Sequence, residues 1–301
     1  ARSVGEEYGV RHFESGSDLI ASGLVEAVLI ATPHYFHPTL AIEAFEAGLH
    51  VLSEKPVGVE IGAAERMAEA ARKSGKVFAV NFQMRALPMI RKARQLVEAG
   101  EIGEIHRTLF MAPEFRSQAY YDSGSWRATW AGEGGGVLLN QAPHLMDVFC
   151  MLSGLPAKVT GHCSQRMHRI EVEDHVEAAL EYANGATGYF YASTCEMGQR
   201  FIEIAGDRGK LRLTGRDLEF WRYEPPITEF NRTNTEMWGS PKLNKVELEV
   251  PESATGQGAI MGNFARAILE GEPLLSPGQE ALLSLELANA IILSSQKGGP
   301  V

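Results

Sequence analysis

Two small sets of residues in this 301-residue chain have the types and spacing for proton chemistry. The first is Lys55, set between Glu54 and Pro56 directly after the apolar run His50-Val51-Leu52-Ser53. A lysine fixed at the end of a buried strand can offer three N–H donors to a hydroxyl or carbonyl oxygen, and burial lowers its pKa. The plainer alternative is a surface lysine paired with Glu54. The second set is Asn140, His144 and Asp147. On a helix these fall at i, i+4 and i+7 and would share one face, with Val137, Leu138, Leu139, Leu145, Met146 and Val148 apolar around them. That pattern makes His144 a candidate general base, Asn140 a hydrogen-bond partner for a ligand or for Lys55, and Asp147 the carboxylate that orients the imidazole. The plainer alternative is a histidine satisfied between helices. Gly134-Gly135-Gly136, just before the set, would permit close backbone approach.

Elements that could position these residues are legible around them. Residues 26–31, 50–53 and 77–80 are short continuous apolar runs, read as strands buried on both faces. Helical patterns at 39–47, stopped by Gly48, and at 63–73, stopped by Gly75, alternate with them in the rhythm of a parallel βαβ sheet. In such a sheet ligands bind beyond the carboxyl ends of the strands. Here those ends carry Thr32-Pro33-His34, Glu54-Lys55-Pro56 and Asn81-Phe82-Gln83. A helix over 89–99 follows, and after about residue 104 the rhythm changes. Residues 174–182 alternate apolar and polar, Asn184-Gly185 supplies a two-residue turn, and 186–194 returns as a hairpin. Further strands at 201–205, 210–214, 218–223 and 245–250 predict a mainly antiparallel sheet. An apolar helix from the glycine triplet to about Leu152, and C-terminal helices at 259–269 and 279–295, complete the reading. The predicted fold is therefore a parallel α/β domain, residues 1–84, followed by an α+β domain, residues 85–301, with a large, mainly antiparallel sheet.

Composition removes several function classes. Lys and Arg total 28 against 38 Asp and Glu, a net charge of −10, and no basic run is present, which argues against nucleic acid as a partner. No stretch reaches the ~18 apolar residues of a membrane helix. Cys150, Cys163 and Cys195 are too few for a disulfide framework and point to a reducing, cytoplasmic setting. His34-x-x-His37 lacks a third ligand at suitable spacing, so no metal is expected. Gly256-x-Gly258-x-x-x-Gly262 is one residue too long for a dinucleotide fingerprint, and no Gly-x-Ser-x-Gly elbow of a serine hydrolase occurs.

Taken together, Ala31-Thr32-Pro33-His34-x-x-His37, the run 47–56 ending in Glu54-Lys55-Pro56, Gly134-Gly135-Gly136 through His144-Leu145-Met146-Asp147, and Val172-Glu173-Asp174-His175 resemble the signatures of the glucose–fructose oxidoreductase/inositol dehydrogenase (Gfo/Idh/MocA) family. The resemblance spans nearly the whole chain. It implies an α/β Rossmann-type domain, N-terminally incomplete, plus an α+β domain with a large, mainly antiparallel open-faced sheet, a bound NAD or NADP, and hydride transfer at a secondary alcohol or ketone carbon of a sugar or polyol. It implies Lys55 and His144 as the catalytic polar pair, with Asn140 beside them where many members carry Asp. Thr32, Pro33, His37, Glu54, Pro56, Asn81 and Arg127 would line the dinucleotide; Trp126, Asn140, His144 and Asp147, with Lys55, would meet the substrate. The resemblance begins at the helix over residues 2–8, so the Gly-rich βαβ segment that opens the family's Rossmann domain is expected to be lacking from this chain. A homo-oligomer, dimer or tetramer, joined through the open sheet face that carries Tyr189 and Tyr191 is also implied. An NAD-dependent glycosidase on the same scaffold, or a non-catalytic member that binds sugar or a partner, are the alternative functions.

Overall fold

A computed structural model describes residues 1–215 and 217–301. Its first part runs α1 (Arg2–Tyr8), α2 (Gly16–Ala21), β1 (Ala27–Ile30), α3 (Phe36–Glu46), β2 (His50–Ser53), α4 (Ile61–Ser74) and β3 (Phe78–Val80). The three strands form one parallel sheet in the order β1-β2-β3, with Val51 beside Val28 and Phe78. Strands β2 and β3 are almost wholly buried, the state their unbroken apolar runs predict. All three carboxyl ends point to one edge of the sheet, and a 3₁₀ turn (Gln83–Ala86) leads from there to α5 (Pro88–Glu98).

The second part holds β4 (Ile105–Pro113), α6 (Gln118–Tyr121), α7 (Trp130–Glu133), α8 (Pro143–Ser153), β5 (Lys158–Ser164), β6 (His175–Glu181), β7 (Thr187–Ser193), β8 (Phe201–Gly206), β9 (Gly209–Thr214), β10 (Asp217–Glu224), α9 (Ile227–Thr233), β11 (Lys242–Val246), α10 (Gly256–Glu270) and α11 (Ala281–Lys297). Eight strands make one sheet in the order β11-β10-β9-β8-β4-β7-β6-β5. Every pair is antiparallel except β4 with β7 at the centre. Sequence reading had no strand at 105–113 or 158–164, and it set the last one a few residues late. One face of the sheet is covered by helices: Phe110 of β4 stacks on Phe190 of β7 at 4.2 Å, and Phe149 of α8 packs edge-on against Phe110. This aromatic contact seats α8, the helix that carries His144. The other face is open, with Tyr189 40 % exposed.

The chain crosses back between its halves. Pro277 bridges Ala79 on β3, Val80 N–H donates to Ser276 O, and Ile260 and Phe264 of α10 pack with Leu52 and Ala79. The segment 256–278, grouped by sequence reading with the second domain, thus closes one side of the parallel sheet. Among the described residues no helix is long and apolar enough to cross a membrane.

Candidate active site

The site lies where the carboxyl ends of β2 and β3 meet the turn ahead of α8. Lys55 follows β2, and its Nζ donates to the main-chain oxygen of Asn140 at 3.0 Å. Its pKa is lowered from the usual value, chiefly because burial penalises the ammonium; the carboxylates of Glu54 and Glu133 oppose that fall. Glu54 is fixed in turn by the Asn81 amide at 2.6 Å, and Asn81 N–H donates to Ser53 O, so the ends of β2 and β3 are tied as one platform. The side-chain oxygen Oδ1 of Asn81 is buried without a protein partner.

His144 stands in the first turn of α8 and lines a cavity of about 560 Å³, a size suited to a small polar ligand. Burial, and then the nearby Lys55 charge, hold its pKa down at about 4, so the imidazole is neutral at pH 7. Its Nδ1 is buried and unpartnered. Lys55, expected from sequence to pair with His144, thus lies near enough for its charge to bear on the imidazole.

Other expectations are corrected by the geometry. Asn140, His144 and Asp147 do not share one helix face, because α8 begins only at Pro143, a residue favoured at the first helical position since its missing N–H costs nothing there. Residues 136–142 are turns, anchored where Gly136 N–H and Leu138 N–H donate to Glu173 Oε1 at 2.9 and 3.1 Å. A Cβ on Gly136 would sit 1.8 Å from Glu173 O, and one on Gly134 (φ 73°) 2.2 Å from Val59, which explains the first and last glycines of the triplet. Asn140 meets Lys55 through its carbonyl rather than its side chain. Asp147 does not orient the imidazole or meet substrate: its carboxylate is 1 % exposed and takes two hydrogen bonds from Arg85, both 2.7 Å, while Arg85 also pairs with Glu280. His37 is buried with its ring nitrogens on Pro56 O and Thr32 O, at 2.8 and 2.7 Å. It braces the two loops instead of lining a ligand surface, while Thr32 and Pro33 themselves are exposed at the strand end.

Arg127 and Trp126 form the rim. The Arg127 guanidinium lies over both the Trp126 and Tyr120 rings, at 4.6 and 4.5 Å, and donates to Tyr120 Oη at 2.7 Å. The Tyr120 hydroxyl also accepts from Gln141 and donates to Asn140 Oδ1, whereas Glu133 gave no comparable sign in the sequence. Glu133 is 1 % exposed, its main-chain oxygen meets His34 Nδ1 at 3.0 Å, and its carboxylate accepts from the Asn140 amide. The only sequence signal was position: a carboxylate directly ahead of three glycines. On the far wall Glu114 pairs with both Arg116 and Arg200. His168, Asp174 and Cys195 place possible metal-binding atoms within 4.8 Å. Asp174, however, already accepts the N–H groups of Arg166, Met167 and His168, and His168 Nε2 meets Arg116 O at 2.8 Å, so this cluster clamps a loop.

Residues 1–82 match the family model described as "Oxidoreductase family, NAD-binding Rossmann fold", and residues 90–212 match "GFO/IDH/MocA C-terminal domain". The chain is 26 % identical to the 1,5-anhydro-D-fructose reductase of Ensifer adhaerens over 292 residues, covering 94 % of this chain and 81 % of that one. It is 27 % identical to the trans-1,2-dihydrobenzene-1,2-diol dehydrogenase of Bos taurus over 77 % of this chain and 72 % of the relative. Among solved structures, the WlbA dehydrogenase of Bordetella pertussis, in complex with NADH and UDP-GlcNAcA, superposes with a TM-score of 0.81 at 28 % identity, covering 100 % of this chain and 86 % of that one.

Proposed function

The chain belongs to the GFO/IDH/MocA family of NAD-binding oxidoreductases, and from that premise we propose that it interconverts a secondary alcohol and a ketone on a sugar or polyol, with Lys55 and His144 handling the oxygen and its proton. One observation carries this reading: a half-buried ammonium, held on Asn140 O, bears by its charge on a neutral imidazole whose Nδ1 has no protein partner.

The residues present fit a nicotinamide dinucleotide. Thr32 and Pro33 are exposed at the end of β1, Glu54 is half-buried at the end of β2, and Asn81 Oδ1 is an acceptor without a protein donor. These, with Arg127 and Pro56, are the residues that would hold it. When bound, the dinucleotide supplies the hydride acceptor or donor. The protein's own part is polar. Lys55 donates a hydrogen bond to the reacting oxygen and stabilises the negative charge that develops on it. His144, unprotonated at neutral pH, takes the hydroxyl proton in the oxidising direction and returns it in the reducing one. Tyr120, Gln141 and Asn140 face the same cavity and can hydrogen-bond neighbouring hydroxyls of a polyhydroxy substrate. Relatives named for an anhydro-sugar reductase and for a complex with a sugar nucleotide support the substrate class. The open sheet face, with Tyr189 exposed, is the surface through which copies of the chain would pair.

The test is a panel of sugars, polyols and ketoses, followed at the NADH absorbance band with each of NAD and NADP. Turnover that falls at least ~100-fold in both Lys55→Met and His144→Asn supports the reading. Turnover unchanged in either variant refutes it. Release of free sugar without net change in NADH would replace it with a glycosidase.

A further inference from the structure

Glu133 is a buried carboxylate that touches the supports of both Lys55 and the rim. It closes α7, and the helix brings it against the turn that carries Asn140. Its Oε2 accepts Ala128 N–H at 2.5 Å and its Oε1 accepts from Asn140 Nδ2, while Arg127 Nη1 lies 3.8 Å from Oε1. Ala128 has φ 55°, a conformation that disfavours a residue with a Cβ, so the bond from its N–H to Glu133 holds a strained turn. That turn sets Trp126 and Arg127 on the rim. A carboxylate that is 1 % exposed needs compensation by positive charge, yet its ion pair with Arg127 is loose. The other cation nearby is Lys55, anchored on the carbonyl of the same Asn140 whose amide Glu133 grips.

We propose that Glu133 is the positioning anion of the Lys55 site: through the Asn140 amide it fixes the carbonyl that binds Lys55, and by its charge it keeps that lysine an ammonium despite burial. The proposal rests on the oxidoreductase reading only for the use made of Lys55; the coupling itself stands on geometry. The charged and titratable groups around Lys55 are Glu54 on its own loop, Glu133 and Arg127 from the α7 region, Glu114 after β4, His34 after β1 and His144 on α8. Among these, Glu133 joins Lys55 by a continuous path of two hydrogen bonds through one residue.

The hydrogen-bond pattern supplies a test by exchange. In Glu133→Gln the new amide faces the Asn140 amide, donor against donor. In the double variant Glu133→Gln/Asn140→Asp the bond is restored in the opposite sense, Ala128 N–H keeps its acceptor, and the negative charge moves to position 140. The readout is the pH dependence of Lys55 labelling by a small amine reagent, followed by peptide mass spectrometry on the intact folded chain. It needs no turnover. Glu133→Gln should shift the labelling midpoint to lower pH by on the order of one unit, and the double variant should restore it. Asn140→Asp alone sets two carboxylates face to face and breaks the same contact, so the double variant, in which the pairing is whole, decides the matter if Glu133→Gln does not fold. The alkaline limb of kcat/KM on an active substrate should move with each midpoint. A midpoint unmoved in Glu133→Gln, or one in the double variant that differs from the wild-type value, overturns the proposal. Failure of the whole substrate panel, by contrast, would overturn the oxidoreductase reading and leave the labelling result standing.

Discussion

Two imidazoles, His34 and His144, are kept neutral by the fold, and this gives the site a pH signature in stability as well as in rate. Burial is the main cause for both and brings each from 6.5 to about 4. For His34 the main-chain oxygen of Glu133 acts against that fall, and the His37 and Lys55 charges reinforce it; for His144 Lys55 reinforces it. The unfolded chain takes up a proton on each below pH 6.5, whereas the folded chain refuses it until about pH 4. Stability is therefore complete above pH 6.5 and is lost as the pH falls toward 4. One group with these two pKa values costs about 2 kcal/mol between pH 7.5 and pH 5. With an m-value of about 3 kcal/mol/M, that is about 0.7 M in the urea midpoint. The perturbation is His144→Asn, which removes the titration while keeping a polar side chain. The assay is urea unfolding at pH 7.5 and pH 5, for wild type, His144→Asn and His34→Asn. Buried carboxyls such as Glu173, whose pKa burial raises, act with the opposite sign in both chains and cancel in the difference. The wild type should lose about 0.7 M more than either variant on acidification. Equal losses would show that His144 is not held neutral, and the proton acceptor assigned to the site would go with it.

Three further outcomes follow from single contacts. Asp147→Asn removes half of a pair in which both side chains are 1 % exposed, so stability should fall by about 3–5 kcal/mol, read as a lower thermal midpoint, while the pH–rate profile of the folded enzyme keeps its shape. A shifted profile would instead return Asp147 to the role of orienting His144. Gly136→Ala places a methyl 1.8 Å from Glu173 O and should yield little folded protein by size exclusion; a well-folded variant would show that the turn can relax. Tyr120→Phe deletes the hydroxyl that joins Arg127, Gln141 and Asn140, at a cost of about 1 kcal/mol per lost hydrogen bond. That should raise KM several-fold with kcat little changed, because the hydroxyl lines the ligand cavity and bonds to Arg127, Gln141 and Asn140 rather than to Lys55 or His144.

The parts of this protein that sequence exposed are those whose physics is local. Strands β2 and β3 are buried on both faces, and nothing but unbroken apolar residues tolerates that, so 50–53 and 77–80 declared themselves. Lys55 was legible for the same reason: a charge directly after such a strand must sit at the sheet edge where ligands bind. The strand β4 was not legible, because Ile105–Pro113 runs through the centre of a sheet whose neighbours, β7 and β8, lie about 80 to 100 residues further on. Its pattern sets two exposed residues, His106 and Arg107, ahead of buried Phe110 and Ala112, and only those partners give the alternation a meaning. Asp147 failed differently. Helical spacing put it near His144 correctly, but spacing cannot show that Arg85, 62 residues earlier, arrives with a bidentate grip and removes the carboxylate from the site. Asn140 shows the remaining gap. Its side chain was chosen for its chemistry, yet Lys55 meets its carbonyl, which every residue type possesses. The identity of Asn140 is instead fixed by its amide, which faces Glu133. What the sequence pattern did not show was therefore where the carboxylates at 133, 147 and 173 are buried and what they hold in place around the candidate site.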